Sequence, residues 1–225
     1  MLHLEHFTFN AFQTRCSVIW DDRGSCAFVD PGFSSAEERD ALTGFVASRK
    51  LKPVCIMLTH GHFDHVLGVA KLAAMYSADG KEGLPVYMHP DERYTLENNT
   101  YFVRAFGAPM PEAFETVDIR EEDIIEVGSL RFEVIPTPGH SRGGVCYYER
   151  SEKVLISGDT LFAGAIGRSD HPGGDYDQLM KSILEKIMTL DGDVAVIPGH
   201  GPCTDIATEG MTNPFLLPFN EPYED

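Results

Sequence analysis

The sequence predicts an α/β protein, and three observations carry that reading. Apolar runs of strand length recur along the chain, such as Val54–Leu58, Phe132–Ile135, Val154–Ile156 and Val194–Ile197. Other segments repeat their apolar residues at helical spacing, among them Leu42, Phe45 and Val46 and, later, Leu179, Ile183 and Ile187. The order is strands, helices, strands, helix, strand, so the second half echoes the first without a literal repeat. A chain of 225 residues is long enough for one sizeable core. The expectation is a single domain over 1–225, its halves roughly 1–115 and 116–210, with a short C-terminal tail.

Taken in order, Leu2, Leu4, Phe7 and Phe9 alternate imperfectly with polar residues and predict a first strand. Ser17–Trp20 and Ala27–Val29 follow as a hairpin about the turn Asp21-Asp22-Arg23-Gly24. Ser35 and Glu38 form a capping box that opens a helix, and Lys52-Pro53 stops it. After the strand at 54–58, a second helix begins at Asp64 or His65 and runs through Ala74. Residues 78–83 read as a surface loop, Val86–Met88 as a short strand and His89-Pro90 as a turn. Residues 91–116 carry Tyr94, Tyr101, Phe102, Phe106 and Phe114, broken by Pro109 and Pro111. Such a segment is more often plain core, but its irregularity predicts a flap whose aromatics could contact substrate. Strands at 124–127, 130–135, 144–148 and 153–157 come next, then a helix over about 177–190 and a strand at 193–197.

The chemistry is concentrated in Thr59-His60-Gly61-His62-Phe63-Asp64-His65, directly after an apolar strand. In an extended chain, positions i and i+2 share a side, so His60, His62 and Asp64 can converge on one point while His65 reaches a second. Imidazole and carboxylate together suit zinc, iron or manganese, whereas calcium or magnesium would want oxygen alone. Asp64 could instead be only a helix N-cap. Three further apolar runs end, after a short Gly or Pro turn, in a residue able to bind metal: His140, Asp159 and His200. Strand ends hold such ligands on a rigid frame while the loops beyond shape a pocket.

This set, His-x-His-x-Asp-His followed by a distant His, a distant Asp and a last His, resembles the metallo-β-lactamase superfamily from Asp30-Pro31-Gly32 to Pro198-Gly199-His200-Gly201. Gly158-Asp159-Thr160-Leu161-Phe162 with Gly167-Arg168-Ser169-Asp170 is similar to its glyoxalase II-like hydrolases. The resemblance implies a four-layer αβ/βα sandwich. It implies one metal held by His60, His62 and His140, a second by Asp64, His65 and His200, and Asp159 bridging both. Two zinc ions are expected, with iron or manganese as alternatives, and Asp64 is the candidate catalytic residue that also orients the attacking water. The implied reaction is hydrolysis of a thioester by a hydroxide bridging the metals. Asp30 is implied to lie near the site, against a plain turn-forming role. Arg168 and Asp170 read as a buried clamp rather than as contacts to an acidic substrate. His89 does not match the ligand pattern, and His3, His6 and His171 receive no role. A mononuclear-iron persulfide dioxygenase or a lactonase on the same site are the competing enzymes, and a non-catalytic metal-binding protein competes from outside enzymology. Only 25 residues follow His200. They leave no room for the C-terminal helical domain in which the family's long members bind glutathione, so a weak preference for the glutathione half is expected.

The bulk numbers narrow the partners. A net charge of −17 argues against nucleic acid and disfavours an anionic membrane surface, leaving a small-molecule substrate. Five cysteines without Cys-x-x-Cys spacing argue against a disulfide framework and fit a reducing compartment. The first residues lack a signal peptide's pattern, and no run approaches the ~18 apolar residues of a membrane span. A cytoplasmic location is the expectation.

Overall fold

The computed structural model of the chain describes residues 1–76 and 83–217. Strand β1 (His3–Phe9) pairs antiparallel with β2 (Thr14–Trp20), and β2 with β3 (Ser25–Val29). The carboxylate of Asp21 makes the intervening turn by accepting the amides of Arg23 and Ser25 at 2.9 and 3.0 Å. Helix α1 (Ala36–Ser48) opens on the predicted capping box, with Ser35 and Glu38 each accepting the other's backbone N–H. It returns the chain to β4 (Lys52–Met57), which lies parallel to β3. Helices α2 (Phe63–Val66) and α3 (Val69–Met75) precede β5 (Val86–Met88), and α4 (Arg93–Phe106) precedes β6 (Val117–Asp118). The first sheet runs in the order β1-β2-β3-β4-β5-β6, its last four strands parallel.

The second sheet begins with an antiparallel meander of β7 (Ile124–Val127), β8 (Leu130–Pro136), β9 (Val145–Glu149) and β10 (Val154–Gly158). A small ribbon, β11 (Leu161–Phe162) with β12 (Ala165–Ile166), leads to α5 (Tyr176–Ser182) and a π-helical turn at Ile183–Ile187. Strand β13 (Ala195–Pro198) then lies parallel to β10, with β14 (Thr204–Asp205) at the edge before α6 (Ile206–Thr212). The order is β14-β13-β10-β9-β8-β7.

Three apolar layers hold this together. Ile19, Val29 and Met57 of the first sheet meet Phe132, Tyr147 and Ile156 of the second, forming a core between the sheets. The outer face of the first sheet packs Phe28 and Ile56 against Leu42, Val46 and Leu72 of α1 and α3. The outer face of the second packs Tyr148 and Leu155 against Leu179, Ile183 and Ile187, the predicted stripe. The result is the expected helix–sheet–sheet–helix sandwich.

Several element readings change. The helix read through Val66–Ala74 is two short helices, parted at Leu67-Gly68. The helix read over 177–190 starts at Tyr176, after the N-cap Asp175, and closes as a π turn at Ile187. Residues 93–106 form a regular helix, so the predicted irregular flap begins only beyond it. The loop read at 78–83 lies, except for Gly83, outside the described residues. Cys16, Cys26, Cys55 and Cys146 are buried free thiols and Cys203 is exposed, in line with the expected lack of disulfides. No described helix is long and apolar enough to cross a membrane.

Candidate metal centre

Strand β4 ends at Met57 and leads through Thr59 and His60 to His62, which is extended, but α2 begins at Phe63 with His62 as its N-cap. Strand alternation therefore ends at His62, and helical backbone turns Asp64 away from His60 and His62. That corrects the simple i, i+2 reading. One donor atom each from His60, His62 and His140 lies within 4.8 Å of the others, and the same holds for Asp64, His65 and His200. Asp64 is also not the cap: its Oδ2 accepts the Thr14 hydroxyl at 2.7 Å. Asp159, just past β10, stands between the two groups. Its Oδ1 is 3.5 Å from His65 Nε2, and its Oδ2 is 3.6 Å from His140 Nε2 and 3.4 Å from His200 Nε2. All seven residues singled out in the sequence thus come together where strands β4, β8, β10 and β13 end.

Hydrogen bonds outside this group fix how each ring faces it. His140 Nδ1 donates to the Arg168 carbonyl at 2.7 Å, and His200 Nδ1 to the Phe12 carbonyl at 3.0 Å. His65 Nδ1 lies 3.0 Å from Asp30 Oδ2. The Thr59 hydroxyl donates to the same carboxylate at 2.5 Å, so at 3.0 Å it is the acceptor for His60 Nδ1–H. Asp30 therefore orients one ring from each group, and its backbone is held in the left-handed region at φ +48° to do so. Every one of these bonds uses up Nδ1 and turns Nε2 inward, where His140 Nε2 lies 2.9 Å from His62 Nδ1.

That arrangement supplies a test of fit for a metal. His65 Nε2 and His200 Nε2 face each other at 3.1 Å, a contact that requires either a proton or a metal cation between the two nitrogens. His60 Nε2, His62 Nε2 and Asp159 Oδ1 are buried and make no hydrogen bond. Orphaned buried acceptors are costly to fold around, so a cluster of them has a use other than stability. The donor set, neutral imidazole with carboxylate, is that of a transition-metal site.

Charge is distributed unevenly across the centre. Burial, with the neighbouring imidazoles, pushes His60 and His62 well below the usual histidine range. Burial opposes charge on His65 as well, but Asp64, Asp159 and Asp30 overcome it and raise the imidazole to about 10. His200 is raised against burial by Asp159. Burial likewise opposes the Asp159 anion, yet His65 and His200 hold it well below the usual carboxylate range. The Asp64–His65–His200 end attracts positive charge and the other end offers neutral ligands.

The centre opens into a cleft of about 410 Å³ beside His140, Asp159 and His200, walled by Phe162, Ala163, Ile166 and Pro202 with Arg168 at its edge. Arg168 pairs with Asp170 at 2.9 Å as expected, but both side chains are about 70% exposed (69% and 74%), so the pair is not the buried clamp read from the sequence. His89 is structural, its Nδ1 accepting the Asp91 amide. Thr14, Glu92 and Asn99 had no signal in the sequence, and His171 had received no role. The His171 ring lies 4.9 Å from that of His62 and 5.2 Å from that of His140 between centroids. Its position next to the Gly167–Asp170 motif was the one hint available.

Residues 9–200 match the family described as the metallo-β-lactamase superfamily. The chain is 34% identical to the hydroxyacylglutathione hydrolase GloC of Haemophilus influenzae, covering 96% of this chain and 98% of that one. It is 36% identical to the probable metallo-hydrolase YqgX of Bacillus subtilis, over 90% of this chain and 92% of the other. Among solved structures, TTHA1623 in a di-iron-bound form superposes with a TM-score of 0.81 at 34% identity, over 94% of this chain and all of that one.

Proposed function

This chain belongs to the metallo-β-lactamase superfamily as a metal-dependent hydrolase, and from that footing we propose that it cleaves thioesters with two bound divalent ions, zinc foremost. His60, His62 and His140 would hold one ion, Asp64, His65 and His200 the other, and Asp159 would touch both. The observation that carries this is the cluster of buried acceptors without hydrogen bonds, His60 Nε2, His62 Nε2 and Asp159 Oδ1, beside His65 Nε2 and His200 Nε2 at 3.1 Å. Bound there, divalent cations supply a water nucleophile at neutral pH and polarise a carbonyl.

The chain's own residues do the rest. Asp30, Thr59 and the carbonyls of Phe12 and Arg168 hold the ligand rings in one tautomer and orientation. Thr14 donates at 2.7 Å to the Asp64 oxygen that lies 3.5 Å from His65 Nε2 and from His200 Nε2, which fixes that carboxylate against the two rings. The apolar cleft wall excludes water from an acyl or thiol group lying against it. The relative named as a hydroxyacylglutathione hydrolase supports the choice of a thioester, whereas the di-iron neighbour keeps iron in play as the metal.

The test is metal analysis of protein purified without added metal, followed by assay of metal-loaded protein on acyl thioesters. Two equivalents and thioester turnover are expected. The only cation among the cleft-lining residues, Arg168, is already paired, so replacing glutathione by a simpler thiol should change kcat/KM by less than roughly 100-fold, or about 3 kcal/mol. No turnover of any acyl thioester would sink the proposal; one iron with oxygen uptake on a persulfide would favour the dioxygenase.

A further inference from the structure

Glu92 is fully buried, lies outside every cluster of metal-binding side chains, and plays no part in the chemistry above. Its two oxygens go to two different loops. Oε2 accepts the backbone N–H of Gly61 at 2.7 Å, and Oε1 accepts that of Gly143 at 2.7 Å. The first loop leaves β4 in the first sheet and carries His60 and His62. The second joins β8 to β9 in the second sheet and carries His140. Between them, His62 Nδ1 and His140 Nε2 stand 2.9 Å apart.

The helix that follows repeats the attachment. Asn99 Nδ2 donates to the Gly61 carbonyl at 2.8 Å, and the Phe102 ring packs on the His62 ring at 4.7 Å. Residues 92, 95, 99 and 102 share one helical face, and Thr95, Asn99 and Phe102 are the buried residues of α4. A helix whose buried stripe is mostly polar is held by those hydrogen bonds and not by apolar packing alone. Both loops also touch the turn itself. A Cβ on Gly143 would stand 2.7 Å from His89 Nδ1 and 2.9 Å from the Glu92 nitrogen, and one on Gly61 would stand 3.1 Å from Glu92 Oε2.

We propose that Glu92 is the positioning residue of the first metal cluster: one carboxylate sets the distance between the His60–His62 loop and the His140 loop. The proposal rests on the ligand assignment above for its metal-binding consequence, but not for the loop geometry. A carboxylate is needed because two N–H donors converge on one side chain. A glutamine would turn an N–H toward one of them. The second cluster is supported elsewhere, Asp64 by Thr14, His65 by Asp30 and His200 by the Phe12 carbonyl, so loss of Glu92 acts on one cluster only.

Glu92→Gln tests this, with Gly143→Ala approaching the same contact from the other side and thermal melts verifying that each variant folds. In metal-loaded protein titrated with a chelator, one of two equivalents should leave at about 10–100-fold lower chelator strength than in the parent, with the other unchanged. His60→Ala should weaken the same equivalent, and the double variant should add little. In metal-free Glu92→Gln, the amides of Gly61 and Gly143 should exchange with solvent about 10-fold faster or more, those of β2 and β10 as in the parent. Unchanged exchange at both glycines in a folded variant would overturn the inference whether or not metal binds. So would equal weakening of both equivalents. A parent protein that binds no metal would count against the proposed function, and the exchange rates would still decide the role of Glu92.

Discussion

Asp159 has no duplicate in the centre. Its two oxygens lie 3.4–3.6 Å from histidine nitrogens of both clusters. Asp159→Ala is therefore expected to lower bound metal and turnover together, and more than any single His→Ala substitution. Metal content and kcat measured on the same preparations check this, and full metal with a near-normal rate would exclude a role on both sides. Far from the centre, His6 places Nδ1 3.0 Å from the Ser17 hydroxyl, and burial, with the Arg15 cation, pushes its imidazole down to about 4. The unfolded chain takes up that proton near 6.5. Between these values the unfolded state binds more protons, so stability falls as pH drops from about 6.5 toward 4. Partial exposure trims the loss to about 1–2 kcal/mol. Urea midpoints at pH 7 and pH 5 should show a smaller difference for His6→Gln than for the parent; equal differences would remove His6 as the cause.

Helix α4 shows how an element can be missed. Its buried positions are Thr95, Asn99 and Phe102, continuing from Glu92, while Tyr101 and Phe106 face solvent at 56% and 53% exposure. Apolar periodicity reports a stripe that buries carbon, and this helix buries amide and carboxylate, so the pattern looked irregular. The Phe106 ring still reaches Phe12 and Phe63 at 5.3 and 6.3 Å, so part of the aromatic segment does form a wall over the loops that carry the ligands. Between α2 and α3 the helical bond from Gly68 to Asp64 is replaced, the Asp64 carbonyl accepting Asn10 Nδ2 at 3.0 Å. Gly68 donates its N–H to the Pro31 carbonyl at 2.9 Å, and a Cβ there would stand 2.4 Å from the Phe33 ring. Gly68→Ala is expected to cost about 1–3 kcal/mol by overpacking, although alanine is the better helix former. A denaturation midpoint equal to or above that of the parent would show that Phe33 moves aside freely.

At the scale of the whole molecule, the two sheets are tied together beside the centre. Val145 N–H donates to the Thr59 carbonyl at 2.8 Å, Arg15 N–H to the Gly199 carbonyl at 2.7 Å, and the buried Tyr147 hydroxyl to the Leu58 carbonyl at 2.7 Å. Each bond joins a strand of one sheet to a ligand-bearing segment of the other. Tyr147→Phe keeps the ring in the inter-sheet core but strands the Leu58 carbonyl, a loss of about 1–3 kcal/mol. A melting temperature lower by about 2–4 °C per kcal/mol is expected for a chain of this size. An unchanged melting temperature would mean that the carbonyl finds another partner.

The amino-acid sequence by itself determined the α/β class and picked out the seven candidate ligand residues at strand ends, because each is written locally. Apolar runs, a turn residue and a metal-binding side chain follow one another within about ten positions at His60, His140, Asp159 and His200. The capping box at Ser35 and the stripe Leu179–Ile183–Ile187 were legible for the same reason. Strand alternation alone grouped Asp64 with His60 and His62, whereas the resemblance grouped it with His65 and His200; the tertiary structure gives the second grouping, since α2 begins one residue after His62. The supports came only from the fold as well. Thr14 meets Asp64 across 50 positions, Glu92 meets Gly61 and Gly143 across 31 and 51, and His171 reaches His62 from the far loop. A hydrogen bond between distant segments leaves no period in either one. It exists because strand order places their ends together, and strand order is a property of the assembled sheets.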